Sequence, residues 1–218
     1  MKKAVTLPNR ERRLNTFSTY MWFFLIFSFI GCIFEMILCF FQRGVIESRS
    51  GLIYGLLTPI YGAGAVLLIL ILRNQKKDIH IFLTAMLFGG IFEWLCSFFQ
   101  ELLFGTISWD YSKYFLNFGG RTSLYHMIGW GILGFILIKY IVPVIDRGIK
   151  LIPNKLNKVL TYIITILLLL NILISAGACY RQSERNKGLA PSNGLEIFFD
   201  KTYPDSLLNK IYANKKNK

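Results

Sequence analysis

The chain has 218 residues, of which 54% are hydrophobic and 16% aromatic, yet its formal net charge is +13. A water-soluble domain of this size has no use for so much apolar surface in unbroken blocks, so the composition points to a membrane protein. It argues against a nucleic-acid partner as well. The Phe residues lie inside the apolar runs and the Lys and Arg residues between them, so the positive charge reads as loop charge and lipid headgroup contact.

Residues 1–15 form a basic leader, with Lys2, Lys3, Arg10, Arg12 and Arg13 against Glu11. The leader is too long, and the apolar run after it too extended, for a cleaved signal peptide. Five apolar blocks follow, each near the ~20 residues that cross ~30 Å of hydrocarbon. They are Thr16–Phe41, Leu52–Leu72, Ile79–Phe104, Ser123–Val142 and Leu156–Ala178. Basic residues collect in alternate connections, Arg73, Lys76 and Lys77 in one, and Arg147, Lys150, Lys155 and Lys158 in another. That bias predicts a multi-pass protein with a cytoplasmic N-terminus. The basic tail, 179–218, is the exception, since five spans carry it to the outside against the charge rule. The Gly/Pro-broken second block and the aromatic third loop are where the chain could be re-entrant instead of spanning.

One stretch occurs twice. Gly31–Gln42 reads GCIFEMILCFFQ and Gly89–Gln100 reads GGIFEWLCSFFQ, so each copy sets a carboxylate, Glu35 or Glu93, within a span. A weaker correspondence links Gly62-x-Gly64 with Gly129-x-Gly131. The predicted architecture is therefore all-α: a polytopic bundle of about five transmembrane helices containing a duplicated hairpin. The units are about 16–72 and 79–142, with an extra span at 156–178. Both copies enter the membrane in the same direction, which makes the repeat parallel, and sites in repeat-built transporters sit between the copies.

Helical spacing puts Gly31, Glu35, Cys39 and Gln42 on one face, and Gly89, Glu93, Ser97, Gln100 and Glu101 on the equivalent one. An unpaired carboxylate in mid-span costs ~2.5–3.5 kcal/mol on insertion scales, and is offset by protonation, a basic partner or a cation. The functional reading is a proton or cation site, or a docking point for an amine-bearing solute, on a pathway lined by Glu35, Glu93, Gln42, Gln100 and Glu101. The structural alternative is that each Glu bonds a neighbour such as Arg49, Arg121, Tyr61 or a carbonyl freed by Pro59, and fastens the bundle. Pro59 and Gly62 break the second helix. An outer mouth is assigned to Arg49, Trp109, Asp110, Asn117 and Arg121, against the plainer alternative of a headgroup-level loop holding one Asp–Arg pair.

His80 and His126 have no second ligand at metal spacing, and Cys32, Cys39, Cys96 and Cys179 form no C-x-x-C, so no metal and no cofactor are expected. Without a Walker A loop, a G-x-S-x-G or a zinc-protease motif, no enzymatic activity is expected either. In the tail, Pro191–Gly194 reads as a turn, and Pro204-Asp205 opens a short amphipathic helix with Leu207, Leu208, Ile211 and Tyr212 on one side.

The chain resembles the putative ABC-transporter type IV family of small bacterial membrane proteins. The resemblance is carried by Gly31 with Glu35, Arg49-Ser-Gly-Leu-Ile-Tyr-Gly55, Pro59-Ile-Tyr-Gly62, Glu93 with Glu101, Trp109-Asp-Tyr-Ser112 and Asn117-Phe-Gly-Gly-Arg121. It extends into the tail, from Arg181 through Pro204-Asp205 to Ile211-Tyr212, and Leu56 departs from it where relatives place a Pro. It implies a bacterial plasma-membrane location and a permease-like component for an unidentified small solute. The lipid bilayer, a separate ATPase subunit and a second copy of the chain are the implied partners. The competing expectation is a non-transporting scaffold or sensor whose carboxylates are structural.

Overall fold

The computed structural model describes residues 17–217. The basic leader, and Thr16 at the predicted start of the first span, lie outside the described residues. Among the described residues, four helices are long and apolar enough to cross a membrane. They are α1 (Phe17–Arg43), α3 (Asp78–Phe104), the continuous run Leu124–Lys150 and α6 (Asn154–Asn186). The run Leu124–Lys150 consists of α4 (Leu124–Ile136), a π-helical turn (Leu137–Ile141) and α5 (Val142–Lys150). Pro143 accounts for the wider turn: it has no N–H to give the carbonyl of Lys139, and the helix relaxes around the missing bond. The protein is thus an all-α, multi-pass membrane bundle.

The second apolar block does not form a full-length helix. Only α2 (Pro59–Leu72) is helical, and its 14 residues measure about 21 Å, short of the hydrocarbon thickness. Pro59 occupies the first turn, where its missing N–H costs nothing, so it starts the helix and does not break one. Residues 44–58 are irregular and return from the end of α1 to mid-bundle, where the Thr58 amide donates to the Ser28 carbonyl at 3.0 Å. Residues 105–123 behave alike. They leave the end of α3, form the short strand β1 (Thr106–Ile107), and reach the start of α4 opposite Glu93.

The two hairpins, α1 with α2 and α3 with α4, share a set of contacts. A Cβ at Gly31 would overlap the Tyr61 ring, and one at Gly89 would overlap the Trp130 ring at the same ring atoms. Gly62 is pressed against the Ser28 hydroxyl and the Phe24 backbone carbonyl, and Gly131 against the Phe82 ring. The Arg49 guanidinium meets the Cys39 sulfur at 3.0 Å, and the Arg121 guanidinium meets the Ser97 hydroxyl at 3.2 Å. On the long helices the paired positions (24 and 82, 31 and 89, 39 and 97) are all 58 residues apart. On the short ones Tyr61-Gly62 corresponds to Trp130-Gly131. That pairing lies two residues away from the sequence-based match of Gly62 with Gly129, which faces open space.

The apolar core, including Phe23, Leu68, Ile69, Leu72, Ile81, Ala85 and Leu137, fills the half of the bundle where α1 begins. Helix α6 starts at the same end, with Asn157 accepting from the Trp22 indole at 2.7 Å. It runs alongside the first return segment. There Ser175 Oγ accepts from the Ile53 amide at 2.9 Å, and the Asn171 amide group exchanges hydrogen bonds with the Tyr54 backbone at 2.7 and 3.2 Å.

The tail folds back over the far end of α6. It comprises α7 (Gly194–Thr202), α8 (Asp205–Ile211) and β2 (Lys216–Asn217), which pairs antiparallel with β1. The predicted amphipathic helix is present as α8, with Leu208 and Tyr212 buried, while Pro191–Gly194, expected as a turn, leads straight into α7, whose N-cap Asn193 accepts from the Glu196 amide at 3.0 Å. Arg181, only 2% exposed, holds Asp200 through two bonds of 2.9 and 3.0 Å, and Arg185 holds Asp200 at 2.5 Å and Asp205 at 2.6 Å.

Two predictions follow from packing and charge. Gly31→Val and Gly89→Val force an aromatic ring out of place and lower the thermal unfolding midpoint by the equivalent of about 1–3 kcal/mol, whereas Gly129→Ala, facing open space, leaves it unchanged. The Arg181 guanidinium holds the Asp200 carboxyl below its ordinary value. Such a group stabilises the fold above the unfolded-state pKa, about 4, and that contribution is lost as pH falls through the lower folded value. The midpoint therefore drops below about pH 4 in the wild type, and Asp200→Asn flattens that drop.

Candidate functional site

The polar half of the bundle is organised by the first turns of α2 and α4. Gly31 lies about 21 Å along α1 from Phe17, and Glu93 about 22 Å along α3 from Asp78, so both short helices begin deep within the bundle. A helix N-terminus carries partial positive charge and unsatisfied N–H groups. Each of these N-termini opens beside one carboxylate.

Glu35 accepts a hydrogen bond of 2.6 Å from the Tyr61 hydroxyl. Glu93 is 8% exposed and accepts from two hydroxyls, Tyr111 at 3.2 Å and Thr122 at 2.8 Å, with the Trp130 indole also directed at it. The rings of Tyr61 and Trp130 stack across the junction between the hairpins, 6.5 Å between centroids. Glu35 and Glu93 thus flank the stacked rings in one polar cluster and lie within electrostatic reach of one another. The cluster combines two carboxyls, three hydroxyl donors and two aromatic faces.

Among the described residues neither carboxylate forms an ion pair. The two arginines sit one helical turn further out and engage other groups. Arg49 bonds Cys39 and Glu47, and Arg121 bonds Ser97 and, at 2.5 Å, Glu101. Of the structural partners considered in the sequence, Tyr61 is the one that Glu35 takes. The Asp–Arg pair expected in the third loop is replaced by Arg121 with Glu101, because Asp110 turns its carboxylate back onto the backbone amide and hydroxyl of Ser112.

The remaining sequence candidates divide. Gln42 is exposed at the end of α1, away from the cluster. Gln100 bonds Ser108 and Thr106 beside β1, so it secures the start of the second return segment. The Trp109 indole donates to the Arg121 carbonyl at 2.9 Å. Asn117 accepts from the Gly120 amide and donates to the Ser112 and Tyr114 carbonyls. Gly120 has φ +72°, which a side chain would strain, and a Cβ there would press on Asp110 and Ser112. Asn117-Phe-Gly-Gly-Arg121 is therefore a turn that aims Arg121 at α3.

Tyr111, Thr122 and Trp130 escaped the sequence reading as groups facing Glu93. Tyr111 looked like a headgroup-level aromatic, yet its ring stacks on His126 at 3.6 Å and its hydroxyl reaches the carboxylate. The missed signal is the aromatic-Gly pair, Tyr61-Gly62 and Trp130-Gly131, each one short helix away from a Gly-x-x-x-Glu. A separate cleft of about 310 Å3 lies at the opposite end among Ser18, Thr19, Asp146, Lys150, Asn157 and Lys158, remote from both glutamates. No group of three or more His, Cys, Asp or Glu suited to a metal occurs among the described residues.

A family model described as Putative ABC-transporter type IV matches residues 22–176, which includes both carboxylates, both arginines and both return segments. No curated protein and no solved structure matches the chain.

Removing a hydroxyl donor from a buried carboxyl leaves that acceptor unsatisfied. Tyr61→Phe and Thr122→Val are each expected to lose about 1–3 kcal/mol, read as a lower thermal midpoint in detergent. Gln42→Ala stays within about 0.5 kcal/mol of the wild type. An unchanged midpoint in Tyr61→Phe contradicts the bond assigned to Glu35.

Proposed function

The chain belongs to the family described as Putative ABC-transporter type IV, and on that premise we propose that it is a permease-like membrane component for a small solute, energised by a separate ATPase subunit. Glu35 and Glu93 line the pathway, and Arg49 and Arg121 guard its mouth. The observation that carries this reading is the cluster of side chains around the two acids. Two carboxyls from different helices meet where two helices begin and two irregular segments return, with hydroxyls and aromatic faces around them. Irregular backbone at membrane depth is tolerated only where protein or a polar cavity surrounds it, and broken helices mark the solute sites of many transporters.

The chemistry suits a proton, a cation or an amine-bearing solute. Carboxylates attract positive charge, and the faces of Tyr61 and Trp130 favour a desolvated ammonium. The family description supports a separate ATPase subunit as the energy source. The end of the bundle where α1 begins carries Arg73, Lys76, Lys77, Arg147, Lys155 and Lys158, and this charge supports a cytoplasmic placement for that end.

Uptake of labelled methylammonium into membrane vesicles tests the reading. Glu35→Gln and Glu93→Gln are each expected to cut uptake at least ~tenfold, the size of a lost charge-assisted contact, at unchanged protein level. Loss of the folded protein would instead assign the carboxyls to fastening helices. Full uptake by both folded variants contradicts a pathway role.

A further inference from the structure

The C-terminal segment beyond α6 touches both return segments. The Tyr203 hydroxyl lies 2.9 Å from the Tyr54 hydroxyl, at the tip of the first return segment. Strand β2 pairs Lys216 with Ile107 and Asn217 with Thr106, at the start of the second. The segment is also held to α6 by charge. Arg181 and Arg185 grip Asp200 and Asp205, and the Lys215 ammonium donates to Gln182 at 2.8 Å.

We propose that residues 187–217 are a strap that closes off the carboxylate cluster at this end of the bundle, and that solute access requires the strap to leave the return segments. Three features make it a latch and not a fixed part of the core. Its ion pairs to α6 all fall on Asp200 and Asp205, so two carboxylates carry the charge that holds it. Its ladder to β1 has two residues on each strand, too short to persist without the clamp. Its apolar seat is small: Tyr203, Leu208 and Tyr212 pack on Ala178, Ile174 and Ile53, apart from the main core. Segments with few buried contacts open at lower free energy than the core they cover. With the strap released, Tyr54 in the first return segment and Thr106–Ile107 at the start of the second lose their common tie, and the carboxylate cluster gains an exit.

The proposal rests on the cluster being a solute site, but access is measured without transport. Cys32 is the reporter: it is fully buried, one helical turn before Glu35 and beside Thr58 at the start of α2. In a background of Cys39→Ser, Cys96→Ser and Cys179→Ser, alkylation of Cys32 by a small maleimide is followed by mass spectrometry of its peptide. Releasing the strap with Asp200→Asn and Asp205→Asn is expected to speed alkylation about tenfold. Adding Ile107→Cys and Lys216→Cys places a cross-link at a directly opposed antiparallel pair, within disulfide reach. Oxidation then returns Cys32 to the slow rate, and reduction restores the fast one. That reversal separates strap release from general unfolding. An alkylation rate that is unchanged by release, or fast but indifferent to the cross-link, overturns the proposal. If the cross-link controls access while both Glu→Gln variants take up methylammonium fully, the strap stands and the pathway reading falls.

Discussion

A polar group inside hydrocarbon has no water to turn to, and each one left unsatisfied costs several kcal/mol. The rest of this structure depends on that constraint. Two stretches of irregular backbone, 44–58 and 105–123, return towards the middle of the bundle, and neighbouring elements supply partners for them. Asn171 and Ser175 are placed on α6 where the Ile53 and Tyr54 backbone arrives. Ser50 donates its hydroxyl towards carbonyls of its own loop, and Thr58 bonds the Arg49 carbonyl. The same logic governs the carboxyls, which are met by hydroxyls from α2 and from the second return segment.

The hairpins repeat one contact plan with different chemistry. Glycine on the long helix admits an aromatic ring from the short one, and an arginine on the return segment reaches a small polar side chain on the long helix. The outer charges, however, are exchanged. In the first hairpin the acid that meets the arginine is Glu47 on the return segment, and in the second it is Glu101 on the helix. The donors also differ: Tyr61 comes from the short helix, while Tyr111 and Thr122 come from the loop. The cluster is therefore nearly symmetric in its aromatic faces and asymmetric in its hydroxyl donors, with Glu93 the more enclosed of the two acids.

Much of this was legible in the residues. The recurrence of Gly-x-x-x-Glu inside two apolar runs located the acids, and Pro59 with its glycines marked where the second block departs from a span. The register of the short helices was not legible, because Gly62, Gly64, Gly129 and Gly131 look alike until one sees what each of them meets: Gly62 the Ser28 hydroxyl and Phe24 carbonyl, Gly64 and Gly131 the rings of Phe92 and Phe82, and Gly129 open space. Asn171 and Ser175 were passed over in an aliphatic run, since their partner is a backbone segment about 117 residues earlier in the chain, at Tyr54. The tail was hidden for a related reason: nothing local shows that Arg181 and Arg185 will meet Asp200 and Asp205 across a turn. Pattern reading finds periodic faces and loses contacts made at long range.

The central claim is that Glu35 and Glu93 belong to one polar cluster and act on each other. A double-mutant cycle on thermal stability tests it most directly, with Glu35→Gln, Glu93→Gln and the pair combined in one detergent at one pH. Groups that share an environment are coupled, so the account predicts a double variant that departs from the sum of the singles by at least about 0.5 kcal/mol. Additivity within about 0.3 kcal/mol would place the two acids in independent sites and contradict it.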